Sequence, residues 1–290
     1  MNNYIIVTDC TCDLSIDVIN KYDIKVIPME FRLGEQDYLH SADFKVFNEV
    51  GFYNQLREGV EASTSQITPY TYESFLTPLL EAGNDILYVA FSSGLSSTYS
   101  SSVIAFETLQ EKFPDRKIIT IDSLAASAGE GLMVYYACLN RENGMSIEEN
   151  KSWIEEHIQN FAHWVVVDDL HHLKRGGRIS AATAFVGSAL SIKPIIHVNE
   201  EGKLINVGKA HGRKKSLTTI ANKLKETISS NDQTIMIAHG DCLSDAEFLR
   251  DKIMEMGVVK EVIISEIGPV VGAHSGPGTV ALFYMGTTRY

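Results

Sequence analysis

Residues Ile86 to Ala105 read ILYVAFSSGLSSTYSSSVIA, an apolar run that breaks into serines around one glycine and then continues with helix-like character. The unbroken apolar start is the pattern of a strand buried on both faces, as in a parallel sheet. Gly94 permits a sharp turn, and Ser92, Ser93, Ser96, Ser97 and Thr98 put hydroxyls and free backbone N–H groups where a helix begins. In an open α/β sheet, ligands sit at the carboxyl ends of the strands, and a helix N-terminus there favours negative charge by ~0.3–1 kcal/mol. The same serines also serve as ordinary helix caps, so the rest of the chain must discriminate between the two readings.

The chain has 290 residues, 44% of them hydrophobic, enough for real cores in two domains. A net charge of −12 argues against a nucleic-acid surface, which needs concentrated Lys and Arg. Cys10, Cys12, Cys138 and Cys242 lack C-x-x-C spacing and read as reduced thiols. The start, NNYIIVTD, has neither a basic region nor an apolar run of signal-peptide length, and no stretch approaches the ~20 apolar residues of a membrane span. These features predict a cytoplasmic protein without stable membrane insertion.

Outward from the opening stretch, strands are expected at Tyr4–Val7, Ile24–Pro28 and Ile118–Ile121, with helices after them. Met29 to Asp43 reads as polar and irregular, Phe44 to Gly59 as helix-like, and Ala62 to Pro69 as a hydroxyl-rich loop before a helix at Tyr70 to Ala82. Gly129-x-Gly131 lacks the third glycine of a dinucleotide fingerprint, and Ser146-x-x-Glu149 is a capping box. This alternation of β and α marks a parallel sheet. After a strand at Trp164–Val167 come Asp168, Asp169, His171, His172, Lys174, Arg175 and Arg178. Adjacent His171 and His172 cannot share one face of a helix, so metal is disfavoured there.

Ala181 to Leu190 is small and apolar, which suits a closely packed helix. Pro194–Val198 and Leu204–Val207 form a hairpin across Asn199–Gly202. Lys209, Arg213, Lys214 and Lys215, with His211 and His197 nearby, are a basic cluster whose position at a helix start opposes the dipole and favours a binding role. Thr234–His239 and Glu261–Ile264 read as strands with a helix at Ser244–Met256 between them. Gly268 to Thr279 reads as an ordered loop where backbone can approach a ligand, and Ala281–Met285 as the strand that closes the sheet.

Taken together, Thr64-Ser65-Gln66, the run Ser92 to Tyr99, Asp168-Asp169-Leu170 with Gly176-Gly177-Arg178-Ile179-Ser180, and Gly272-x-His274-x-Gly276-Pro277-Gly278 resemble the DegV family along the whole chain. The resemblance implies a two-domain α/β fold, with a mainly parallel sheet flanked by helices in residues 1–162, a mixed α/β domain in 163–290, and the ligand between them. It further implies a bacterial fatty-acid carrier, in some members the acyl-carrying subunit of a fatty acid kinase, with no catalytic residue, metal or cofactor of its own. The carboxyl group would meet Thr64 and Ser96, with Ser93, Ser65 and His274 beside it, while Arg175, Arg178, His211 and Arg213 would face a kinase catalytic subunit. Ile67 stands where the family commonly has Pro, Ser97 where it has Gly, and His211 where it often has Arg.

The chemistry accords with such a ligand. Burying an acyl chain gains ~0.8 kcal/mol per CH₂, and the carboxyl group then needs hydrogen-bond partners, which hydroxyls and an imidazole supply in either protonation state. A head site without an arginine clamp leaves a carboxyl oxygen open to phosphoryl transfer. Two rivals compete. A serine-dependent acyl hydrolase would use Ser93 or Ser96, His274 and Asp168, but no Gly-x-Ser-x-Gly elbow is present. A nucleotide-binding regulator would need the dinucleotide fingerprint or a phosphate loop with Lys, and neither occurs.

Overall fold

The computed structural model describes residues 4–180 and 191–290. The expected helix at Ala181–Leu190 lies outside the described residues. In chain order the first half runs β1 (Tyr4–Asp9), α1 (Ile16–Tyr22), β2 (Lys25–Ile27), β3 (Met29–Leu33), β4 (Gln36–His40), α2 (Lys45–Val50), α3 (Phe52–Arg57), β5 (Ala62–Thr64), α4 (Pro69–Glu81), β6 (Asp85–Ala90), α5 (Thr98–Lys112), β7 (Ile118–Asp122), α6 (Ala128–Glu142) and α7 (Ile147–His157). Strands β2-β1-β6-β7 form a wholly parallel sheet, as the opening stretch predicts, and β6 is buried along nearly its whole length. The Ser146 capping box forms with both its hydrogen bonds.

Three local readings are corrected. Met29 to Asp43 is not irregular: β3 and β4 pair as an antiparallel hairpin. The supposed loop at Ala62 joins them as β5, with Thr64 opposite Phe31. Met29, Phe31 and Leu33 point inward while Glu30 and Arg32 face solvent, a period of two that the charged residues obscured. Phe44 to Gly59 holds two short helices parted at Gly51 rather than one.

The second half runs β8 (Phe161–Val166), α8 (His171–Arg175), β9 (Ile192–Val198), β10 (Leu204–His211), α9 (Arg213–Thr227), β11 (Thr234–His239), α10 (Leu243–Met256), β12 (Glu261–Glu266), α11 (Pro269–Ser275) and β13 (Val280–Met285). Its six strands lie in the order β10-β9-β8-β13-β11-β12. β13 does not close the sheet but lies inside it, antiparallel to both β8 and β11. The glycine-rich stretch from Gly268 is a loop only at 276–279, since Pro269 opens the helix α11.

Each strand of this sheet alternates. Trp164, Val166, Leu282 and Tyr284 pack under Leu217, Ile220, Leu249 and Ile253 of α9 and α10. Val165, Ile196, Ala281 and Phe283 face the other way, toward the parallel sheet. Helix α6 fills part of that interlayer space. Its Ala128, Leu132 and Met133 share one apolar cluster with Leu87 and Val89 of the parallel sheet and with Met236 and Phe283 of the mixed one.

Where α6 and α11 begin, one buried carboxyl group ties them together. Asp13 accepts hydrogen bonds from Ser127 Oγ at 2.5 Å and from the Gly268 backbone N–H at 2.8 Å. Burial raises its pKa to about 7 against those two bonds, so folding favours the protonated acid. Its contribution is therefore full below about pH 4 and is lost as pH rises toward 7. Asp13→Asn should flatten the fall in stability between pH 4 and 7 by up to the order of 4 kcal/mol, measured by urea unfolding across that range. An unchanged slope would show that Asp13 does not titrate there.

Candidate functional site

Between the two sheets lies a cavity of about 480 Å³, within the ~300–1,000 Å³ usual for small-molecule sites. Its wall on one side is the inward face of the mixed sheet, including Val165, Ile196, Ala281 and Phe283. Across from it, α11 and Ile267, two residues before it, present a single stripe at helical spacing: Ile267, Val270, Val271, His274 and Ser275. The first three are apolar and the last two polar, so the cavity changes character along the helix.

The polar end gathers residues from four elements. β5 delivers Thr64, whose Oγ1 lies 2.8 Å from His274 Nε2. The turn after β6 brings Ser93 and Ser96. Ser96 Oγ accepts the Thr98 backbone N–H at 3.2 Å, so it caps α5 while lining the cavity. Ser65, Gln66, Ser93 and Ser97 are exposed, which makes this end the mouth. All five residues expected around a carboxyl group, Thr64, Ser65, Ser93, Ser96 and His274, line one cavity. Gly94 has an ordinary negative φ, and its role is close approach: a Cβ there would stand 2.5 Å from the Glu201 carbonyl oxygen, where the β9–β10 turn docks.

Proton positions at the polar end follow from partners. Burial, reinforced by the Arg178 and Arg175 charges, lowers the His274 pKa to about 4, so its ring is neutral near pH 7 and carries one proton. His274 Nδ1 is buried without a hydrogen-bond partner, and a Cβ on Gly176 would stand 2.2 Å from it. A proton on Nδ1 would be an orphaned donor, so the proton belongs on Nε2, donated to Thr64. The Thr64 hydroxyl is then free to donate into the cavity. The hydrolase arrangement is not assembled: His274 Nε2 meets Thr64 rather than a serine, and Asp168 is engaged by Lys193 at 2.8 Å.

The arginines separate. Arg178, expected at a partner surface, lines the cavity, its Nε donating to the Leu95 carbonyl at 3.1 Å and its other guanidinium arm to the Gly176 carbonyl at 2.6 Å. Burial lowers its pKa, yet it remains a cation, so the cavity lining does contain an arginine. Its Gly-Gly-Arg context beside α8 carried no signal of inward direction. Arg175 is exposed and His211, at the end of β10, is exposed as well. Arg213 is half-buried and donates to Asp245 at 2.8 Å. Ile67 is buried in the apolar cluster that holds Tyr72 and Leu76, and Ser97, with φ −80°, needs no glycine-like backbone.

Among the described residues no cluster of three or more His, Cys, Asp or Glu side chains is arranged to hold a metal ion, and no helix is long and apolar enough to cross a membrane.

Comparison with known proteins agrees with this architecture. The family model described as an uncharacterised protein of the DegV family matches residues 3–287. A DegV domain-containing protein of Clostridium perfringens is 44% identical over 290 residues, covering 100% of this chain and 99% of its own. The structure of a DegV family protein of Thermus thermophilus, described by its fatty acid binding, superposes with a TM-score of 0.86 at 29% identity, covering 97% of this chain and 98% of that one. The fatty acid kinase B3 protein of Streptococcus pneumoniae, solved loaded with linoleic acid, shares the fold with a TM-score of 0.84 at 21% identity, over 98% and 99% of the two chains. With a family match over nearly its whole length and a relative this similar end to end, the chain belongs to the DegV family.

Proposed function

We propose that this protein binds a long-chain fatty acid in the cavity, with the tail along the apolar stripe of α11 and the carboxyl group at the Thr64–His274 end. The observation that carries this reading is the cavity's polarity: an apolar wall from two elements ends in hydroxyls, a neutral imidazole and one arginine. In this reading Thr64 and Ser96 donate hydrogen bonds to the carboxylate, and Ser93 and Ser65 line the mouth. Arg178 offsets the charge, which lowers the desolvation cost of burying the head. The fatty acid binding of the Thermus thermophilus relative supports it.

Exposure of the mouth suits a carrier that offers its carboxyl oxygen to a fatty acid kinase for acyl-phosphate formation. Arg175 and His211 are then the exposed residues facing that partner, and Arg213 supports them from its pair with Asp245. We further propose the units 1–162 and 163–290, each with its own sheet and the ligand between them. The test is native mass spectrometry of freshly purified protein, followed by denaturation and identification of released lipid. One fatty acid per chain is the expected result, and a protein that is empty and also refuses added fatty acid would overturn the reading.

A further inference from the structure

We propose that Ser275 is a further hydroxyl donor to the ligand head group, beside Thr64 and Ser96, and sets the preference for a carboxylate over a single-oxygen head. This rests on the fatty-acid reading and deepens it. Ser275 follows His274 on the cavity-facing stripe of α11, and both line the same polar end. Its Oγ is buried and has no hydrogen-bond partner. A serine in a helix ordinarily gives its proton to the carbonyl one turn back, and Ser275 does not. The Ser275 carbonyl accepts from Thr279 Oγ1 at 2.9 Å, which ties down the backbone at this lining residue while its hydroxyl stays unpartnered. An unmade hydrogen bond at a buried hydroxyl is unfavourable in the absence of ligand, and a ligand oxygen there would remove that penalty.

A carboxylate has two oxygens and acceptor sites for several donors. Thr64 reaches the head from β5 and Ser275 from α11, so the two hydroxyls approach from different walls and address different oxygens. A fatty alcohol of the same chain length has one oxygen. It can satisfy Thr64 and leaves Ser275 unanswered.

The experiment compares stearic acid with 1-octadecanol in competition binding to the full chain and to Ser275→Ala and Ser275→Thr. Ser275→Ala should weaken the acid roughly tenfold, the size expected for one hydrogen bond to a charged group, while changing the alcohol less than about twofold. Ser275→Thr, which keeps the hydroxyl, should restore the acid's affinity. Equal losses for acid and alcohol would mean a packing effect and would overturn the proposal, as would an unchanged acid affinity in Ser275→Ala. Thermal unfolding of each variant reports folding separately. Failure of the unaltered protein to bind stearic acid would defeat the fatty-acid reading itself, and this inference with it.

Discussion

Thr64→Val is expected to reduce fatty-acid affinity about a hundredfold while preserving side-chain volume. Two effects add. The substitution removes the hydroxyl that in the proposed complex donates to the carboxylate, a charged hydrogen bond typically contributing ~1.5–3 kcal/mol. It also leaves the His274 Nε2–H, now 2.8 Å from Thr64 Oγ1, without an acceptor in a buried site. That orphaned donor costs ~1–3 kcal/mol, which should appear as a lower unfolding midpoint in the ligand-free protein. Titration calorimetry and thermal unfolding on one preparation separate the two parts. Affinity within a factor of three of the unaltered protein would remove Thr64 from the head site.

Gly176→Ala should have an effect of similar size by a different route. The new methyl group would stand 2.2 Å from His274 Nδ1, far inside any real contact. The ring sits on α11 and is held from its other side by Thr64, so either it or the end of α8 must move by about an ångström. A 2.8 Å hydrogen bond stretched that far no longer qualifies as one. Because both substitutions act through the same Thr64–His274 bond, they should not add: the double variant should bind no more weakly than about threefold below the worse single one. Independent, fully additive losses in that cycle would show that Gly176 does not position His274.

Much of the site was legible because its parts carry local signatures. The hydroxyls of Ser93 and Ser96 stood at a helix start and the glycines around His274 marked a close approach of backbone, while Thr64 was picked out by the family resemblance; all four line one cavity. Arg178 was expected at a partner surface rather than in the cavity, and Ser275 was missed. An arginine reads as a surface group until the direction of its backbone is known, and Arg178 is turned inward by its bonds to the Leu95 and Gly176 carbonyls. For Ser275 a signal did exist: Ile267, Val270, Val271, His274 and Ser275 follow helical spacing, but the glycines and prolines around them suggested a loop.

What the sequence determined by itself was the set of elements whose causes are local. The parallel strands β1, β6 and β7 are short apolar runs, and α7 begins where its capping box is written, because strand burial and helix ends depend on neighbours within a turn or two. Only the tertiary structure decided the cavity. Thr64 and His274 are 210 residues apart, and their contact exists because β5 pairs onto β3 and faces α11. No local pattern encodes that meeting, since which faces of distant elements come together is set by the packing of both sheets around α6 and the interlayer space it leaves.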